Sequence, residues 1–262
     1  MKVVVELVNL NEIYNEDCLI GMKKIEAGSI DMILCDLPYG TTNCQWDKRI
    51  AFEPLWQEYK RITKKNAAIV LFSQMPFGAE LIMSNLKMFR YEWIWQKNLA
   101  VGFLNANKMP LRIHENILVF YQSLPTYNPQ KWQSTPLKRH GKRKCFIYGK
   151  VKDLEHYYES LDGLRYPVDT IKFNMVYASS EKYYHSTQKP VDLLEYLIKT
   201  YTNEGETVLD NCIGSGSTAV ACVNTNRNFI GFETVEKYCE IARKRIEEAQ
   251  KNKQSTEVGL LF

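Results

Sequence analysis

Short apolar runs alternate with segments of helical periodicity along most of this chain, and that alternation is the strongest constraint on its fold. Strand-like runs occupy 12–15, 30–36, 67–72, 91–96, 116–121, 207–210 and 229–232. Helical spacing occupies 18–25, 52–63, 77–86, 191–201, 217–224 and 235–249. In the second of these, Phe52, Leu55, Trp56, Tyr59 and Ile62 share one face. Pro190 stands at the start of 191–201, where its missing N–H is not needed. Strands separated by helices build a mostly parallel sheet covered on both faces. The expectation is a doubly wound α/β fold, with 1–262 as a single domain.

One stretch breaks the rhythm. Residues 123–184 lack clean periodicity and carry turn signals at Pro125, Pro129, Pro136, Gly141, Gly163 and Pro167. An irregular segment of that length inside a domain reads as a functional insertion. A chain of 262 residues with 45% hydrophobic content accommodates one large domain plus such an insertion, and global disorder is excluded. The net charge of +4 permits a polyanionic partner without demanding one. The seven cysteines show no C-x-x-C pair, so the reading is reduced buried thiols, with no disulfide framework and no metal site. No run approaches the roughly 18 apolar residues of a membrane span, and the N-terminus lacks a signal-peptide core. A soluble, cytoplasmic protein is expected.

Two loops carry chemistry. The run Ile30-Asp31-Met32-Ile33-Leu34-Cys35 ends in Asp36-Leu37-Pro38-Tyr39. That places a carboxylate, a bent backbone and an aromatic ring at the C-terminal end of a strand, the edge where open α/β sheets bind ligands. Oxygen acceptors beside a flat face suit a planar, NH2-bearing substrate such as a nucleobase. Further on, Asp210-Asn211-Cys212-Ile213-Gly214-Ser215-Gly216-Ser217-Thr218 reads as strand end, glycine turn and helix start, with Ser217 and Thr218 available as caps. Glu233 closes the next strand about twenty residues later, a spacing that suits a carboxylate gripping ribose hydroxyls. There is no third glycine, and Asp210 would repel phosphate while accepting an ammonium. A nucleoside cofactor without phosphate is therefore favoured over a dinucleotide.

Together these residues resemble the DNA amino-methyltransferases, specifically the permuted group in which the catalytic motif precedes the cofactor motif. Asp36-Leu37-Pro38-Tyr39-Gly40 is similar to the family's acid-Pro-Pro-Tyr motif, with Leu37 in place of the first proline. His185-Ser186-Thr187-Gln188-Lys189-Pro190 resembles the linker over the cofactor's amino-acid end. The glycine turn and Glu233 form the third patch; Asn211-Cys212 replaces a common Pro-Phe pair. The resemblance implies a seven-stranded sheet, S-adenosylmethionine as methyl donor, and an exocyclic amino group as acceptor. It implies catalytic roles for Asp36, Leu37, Pro38 and Tyr39. Cofactor contacts are implied for Asp17, Cys18, His185, Thr187, Lys189, Asp210, Gly214, Ser215, Gly216, Ser217, Thr218 and Glu233. Target recognition falls to 123–184.

Within that segment, Lys138, Arg139, Lys142, Arg143 and Lys144 crowd five cations into seven positions and are read as phosphate contacts on double-stranded DNA. Trp132, Tyr127, Tyr157 and Tyr158 are read as small-core fillers. Arg112, His114 and Glu115 precede a strand and suit either DNA contact or a local ion pair. An Asp rather than a Ser heading the tetrapeptide favours N6 of adenine over N4 of cytosine, by resemblance. The rivals are a DNA-binding module with an inactive cofactor site and a nucleotide-dependent oxidoreductase. The resemblance also admits a homodimer, a cognate restriction endonuclease acting separately, and a nucleoid-associated setting in a bacterial or phage-infected cell.

Overall fold

The computed structural model describes residues 7–41, 44, 47–142, 155–160, 162–177, 184 and 188–259, with backbone alone for 137–142, 155–160 and 256–259. Strand β1 (Glu12–Asn15) leads to a short helix α1 (Cys18–Gly21), and β2 (Ile30–Cys35) follows. Helix α2 (Phe52–Ile62), β3 (Thr63–Ser73), α3 (Phe77–Ser84), β4 (Phe89–Val101) and β5 (Arg112–Phe120) complete the first half. Four short strands come next: β6 (Trp132–Gln133), β7 (Leu137–Lys142), β8 (Glu155–Ser160) and β9 (Leu164–Arg165). The chain then forms β10 (Thr170–Lys172), α4 (Val191–Tyr201), β11 (Thr207–Asp210), α5 (Ser217–Asn224), β12 (Asn228–Glu233) and α6 (Glu236–Gly259).

Among the described residues the main sheet has the order β1-β12-β11-β2-β3-β5-β4-β10. Every neighbouring pair is parallel except those involving β5, which runs antiparallel to β3 and β4. The sheet thus has eight strands rather than seven. The extra strand, β10, pairs with Ile94, Trp95 and Gln96 of β4. Three residues with Ile171 alone buried are too few for a period-two signal, so β10 was hidden in the irregular stretch. Strands β4 and β5 also run longer than their apolar cores, because ladder hydrogen bonds continue through polar residues such as Lys97 and Arg112.

Alternation along the strands divides the core between the two faces. Ala68, Val70 and Phe72 of β3 join Leu193, Leu197 and Ile198 of α4. Ile69 and Leu71 join Leu55, Tyr59 and Ile62 of α2. Each face buries enough apolar surface to hold its helices, which is why short helices such as α5 persist.

The chain divides into two compact units. The larger comprises residues up to Asn128 and from Asp169; the smaller is Pro129–Val168. Within the smaller unit β6 pairs with β9 and β7 with β8, both antiparallel, and the Lys131 ammonium lies 4.6 Å from the Tyr166 ring centre. Trp132 is 52% exposed and Tyr127, in the larger unit, 45%, so neither fills a core as expected. Two-residue strands leave Trp132 too little backbone to be covered by. The side chains of Tyr157 and Tyr158 lie outside the described residues.

Candidate active site

Strands β2 and β11 are parallel neighbours, so their C-terminal ends open on the same edge of the sheet. Asp36 follows the last residue of β2, and Asp210 is the last residue of β11. The two loops therefore leave side by side and line a single cleft of about 700 Å³. That volume falls within the range of pockets that enclose small molecules.

The loop after β2 is pinned by residues that sequence reasoning did not single out. Asp47 accepts from the backbone N–H groups of Gly40 and Thr41 at 2.8 and 2.9 Å. Arg49 Nε donates to the Tyr39 carbonyl at 2.7 Å. The Tyr39 ring packs on Phe77 with centres 4.9 Å apart, and Leu37 is buried. Leu37 thus holds its place by packing, where a proline would do so by restricting its own backbone.

The side chain of Asp36 is 24% exposed and meets two groups. Its Oδ2 accepts from Lys189 Nζ in a short ion pair. Its Oδ1 lies 2.8 Å from the Tyr39 hydroxyl, which is also 2.9 Å from Glu115 Oε1. Glu115, 4% exposed, pairs with Lys97 at 2.8 Å and with Lys189 at 3.2 Å. Of the two readings open for Glu115, the structure gives the ion pair. Burial pushes the Asp36 carboxyl above its ordinary range and the Glu115 charge adds to this, against the pull of Lys189. Glu115 itself is held low, because Lys189 and Lys97 outweigh its burial. Burial opposes the charge of Lys189, yet the two carboxylates prevail and raise it to about 12. Burial, then both acids, keep Tyr39 a neutral phenol.

The turn after β11 contains Gly214 and Gly216, both at positive φ (52° and 82°). A Cβ on Gly216 would stand 2.7 Å from the Ala242 Cβ on α6, so the backbone passes α6 at a separation only glycine allows. Arg245, also on α6 and buried, donates to the Ser215 carbonyl, to Ser215 Oγ and to Ser217 Oγ. The expected capping by Ser217 and Thr218 does not occur. The cap is Gly216, with no side-chain bond. Thr218 instead donates to Asp210 Oδ2 at 2.6 Å, and Ser217 is engaged by Arg245. Ser217 and Thr218 are already the first helical residues, past the cap position. Glu233 accepts from the Gly214 and Val235 N–H groups, tying the turn to the end of β12.

Asp17, Cys18, Lys189, Asp210, Gly214, Ser215, Ser217, Thr218 and Glu233 all line the cleft with Asp36, Leu37, Pro38 and Tyr39. Gly216 does not; it faces α6. Lys189, expected on the cofactor side, places its ammonium on Asp36 and Glu115. Asp17 caps α1 by accepting from the Leu19 N–H, and the Cys18 thiol is driven up by its Cys212 contact and by burial. Asn211 accepts from the Tyr59 hydroxyl at 2.6 Å, a polar contact where the resemblance has an aromatic one. His185, Thr187, Arg143 and Lys144 lie outside the described residues, as do the side chains of Lys138, Arg139 and Lys142.

The donor set suits S-adenosylmethionine. Asp210 is a buried carboxylate whose described hydrogen-bond donors, Thr218 Oγ1 and the Cys212 N–H, are neutral. Burial raises it to about 6. An ammonium group relieves that desolvation, and a phosphate aggravates it. Glu233, at the cleft wall, offers carboxylate oxygens to hydroxyl groups.

A family model described as DNA methylase matches residues 30–244. The chain is 28% identical over 243 residues to the type II methyltransferase M.HpaI of Haemophilus parainfluenzae, covering 87% of this chain and 71% of that protein. Its fold is similar to that of the M1.HpyAVI–SAM complex, with a TM-score of 0.59, 24% identity, and coverage of 89% of this chain and 98% of that one. It is similar also to the PvuII DNA methyltransferase described as cytosine-N4-specific, with a TM-score of 0.66, 12% identity, and coverage of 91% and 87%.

Proposed function

The chain belongs to the N6/N4 DNA methylase family, and from that premise we propose that it methylates the N6 amino group of adenine in double-stranded DNA, with the base flipped out of the helix. S-adenosylmethionine is its methyl donor and, when bound, supplies an electrophilic methyl carbon on a sulfonium sulfur. The observation that carries the proposal is the side-by-side exit of the Asp36 loop and the glycine turn into one cleft.

An exocyclic amine is a poor nucleophile because its lone pair is delocalised into the ring. The Asp36 carboxylate and the Leu37 carbonyl accept its two N–H groups and localise that pair. Positive charge would grow on the nitrogen as its bond to the methyl carbon forms and the methyl–sulfur bond breaks to leave a neutral thioether, so these acceptors gain strength towards the transition state. The surplus proton then leaves the nitrogen for Asp36 or water. The Tyr39 ring stacks on the base, and Asp210 and Glu233 hold the donor's ammonium and ribose. His185 and Thr187 complete the donor side, as the resemblance implies.

Asp36 is recessed in the cleft, out of reach of an amino group inside a duplex. Flipping costs a few kcal/mol; stacking on Tyr39 returns about 1–3 kcal/mol. Lys138, Arg139, Lys142, Arg143 and Lys144 contact backbone phosphates and set affinity rather than sequence choice. The reading places the protein in the cytoplasm of a bacterial or phage-infected cell, with any cognate endonuclease acting as a separate protein and any homodimer to be read from its mass in solution. Among the described residues no helix is long and apolar enough to cross a membrane.

The test is incubation of DNA with methyl-labelled donor, followed by nucleoside mass spectrometry. Label in N6-methyladenine is expected. Label in N4-methylcytosine moves the reaction to the other base, and donor binding without any labelled base reduces the protein to a binding module.

A further inference from the structure

Asp36 is already occupied. Lys189 holds its Oδ2 and the Tyr39 hydroxyl its Oδ1, yet the proposed reaction needs a free acceptor there. A substrate amine either takes the place of one of them or shares an oxygen with it, and sharing with Lys189 would set an ammonium beside a nitrogen that becomes positive. Tyr39 is braced by Phe77 and by the Arg49 bond to its carbonyl. Lys189 sits directly before Pro190, the N-cap of α4, and carries its charge on four methylenes, so its ammonium can turn between neighbouring acceptors without a move of the backbone. Its second carboxylate, Glu115 Oε1, is already at 3.2 Å. Glu115 is in turn held at its other oxygen by Lys97, itself buried and 4.8 Å from the Trp95 ring centre. The Lys189 nitrogen lies 4.9 Å from the Phe72 ring centre, an apolar face across which an ammonium can shift while keeping a favourable contact.

We propose that Lys189 is a positioning residue with two seats: on Asp36 while the cleft lacks a target base, and on Glu115 once the base's amino group takes its place, with Lys97 fixing Glu115 as the receiving post. The inference rests on the function proposed above. The exchange is one of hydrogen bonds alone, with no covalent bond made or broken at Lys189. The Lys97–Glu115–Lys189–Asp36 set contains two acids and two bases, so the cluster stays neutral with Lys189 in either seat. Withdrawal of the ammonium also removes a cation from beside a nitrogen that is becoming positive, which favours the transition state over the ground state. In the empty site the same ammonium opposes the upward push that burial gives the Asp36 carboxyl.

The test compares Lys189→Met, Lys189→Arg and Glu115→Gln under single-turnover conditions with saturating donor, alongside calorimetric donor binding. Asp36 faces Tyr39 on its own loop, Lys189 before α4 and Glu115 on β5, with Cys35 on β2 and Asp210 on β11 further off. Saturating donor holds Asp210 ionised and keeps it out of the pH profile. Lys189→Met should leave donor affinity within threefold and move the acid limb of the pH–rate profile to higher pH by about one unit, so that the rate falls about tenfold below the limb and not above it. Lys189→Arg should bring the limb back. Its fork can hold both carboxylates at once, so it releases Asp36 poorly and KM for DNA rises. Glu115→Gln removes the second seat, so KM for DNA should rise tenfold or more with no upward move of the limb. Where that single variant unfolds because Lys97 is left unpaired, Glu115→Gln with Lys97→Met restores the charge balance and carries the same expectation.

Wild-type rates and limb in Lys189→Met overturn the proposal, as does one shared signature for the Lys189 and Glu115 variants. Asp36→Asn separates the two levels of argument. If it turns over, the reading of the site fails. If it is inactive while Lys189→Met and the double variant behave as wild type, only the two-seat proposal fails.

Discussion

The backbone N–H of Gly214 donates to Glu233 Oε2 at 3.1 Å, so the glycine turn and the acid after β12 are one unit rather than two neighbouring motifs. Glu233 also accepts from the Val235 N–H near the start of α6, and α6 returns Ala242 and Arg245 to the turn. The cradle is therefore closed by a ring of contacts through β12 and α6, and its two glycines have different duties.

Gly216→Ala should damage the fold, and Gly214→Ala the binding of donor. At Gly216 the new methyl meets α6 at 2.7 Å in a left-handed backbone, a loss of about 2–4 kcal/mol. At Gly214 the same backbone penalty of about 1–2 kcal/mol applies, but nothing stands within 4 Å of the methyl. Gly214 lines the cleft proposed to hold the donor, and an added methyl narrows it, so donor affinity should fall tenfold or more. Thermal melts and calorimetry on both variants check this. A donor affinity unchanged in Gly214→Ala contradicts it.

Asp210→Asn should abolish donor binding while leaving the protein at least as stable. Burial raises this carboxyl from 3.8 to about 6, which corresponds to roughly 3 kcal/mol. Because the folded value lies above the unfolded one, the stability tied to this group is complete below pH 3.8 and is lost as pH rises through about 6. At neutral pH the ionised group is thus a cost, and Asn removes it. Melting at pH 7.5 should show the variant at or above wild type, with wild type alone rising on addition of donor. In wild type, donor affinity should weaken as pH falls through about 6.

Asp36→Ala and Asp36→Asn should lower single-turnover methylation by about a thousandfold or more, in line with loss of a transition-state acceptor. Donor affinity should stay within about threefold, since Asp36 lies on the target side of the cleft. A variant that keeps near-normal rates removes Asp36 from the chemistry.

Tyr39 combines two functions that substitutions can part. Tyr39→Trp keeps a stacking face and should retain more activity than Tyr39→Ala. Tyr39→Phe keeps the ring but removes the hydroxyl that stands between Asp36 and Glu115, and with it the single hydrogen that the two carboxylates compete for. Its base flipping, followed by 2-aminopurine fluorescence at the target, should match wild type, while its rate falls about tenfold or more. Equal loss of flipping in Tyr39→Phe and Tyr39→Ala would contradict the division.

Much of the architecture was readable from consecutive residues. The runs behind β2, β11 and β12, the helical face of Phe52, Leu55, Trp56, Tyr59 and Ile62, and the positive-φ glycines at 214 and 216 are local patterns with local causes. Periods of 2 and 3.6 and the absence of a Cβ act within a few residues, whatever the rest of the chain does. Both chemical loops could therefore be located, while the strand order that brings them to one edge came from the tertiary structure. Strand β10 escaped because three residues do not establish a period. The caps on α5 were misassigned because the helix already starts at Ser217, which leaves Gly216 as the cap and frees the Thr218 hydroxyl to bond Asp210, eight positions away.

The charge cluster had no such signature. Tyr39 meets Glu115 across 76 positions, and Lys189 reaches Asp36 across 153. Arg245 clamps Ser215 from 30 positions away on a helix that reads only as charged. A lysine or glutamate in an extended run is by default a solvated residue, and burial of Glu115 becomes affordable only where Lys97 and Lys189 converge on it. Residue order therefore announced where the chemistry stands, since that depends on backbone conformation. Which charges surround it was settled by strand pairing, since ion pairs form wherever topology brings side chains together, at any separation along the chain.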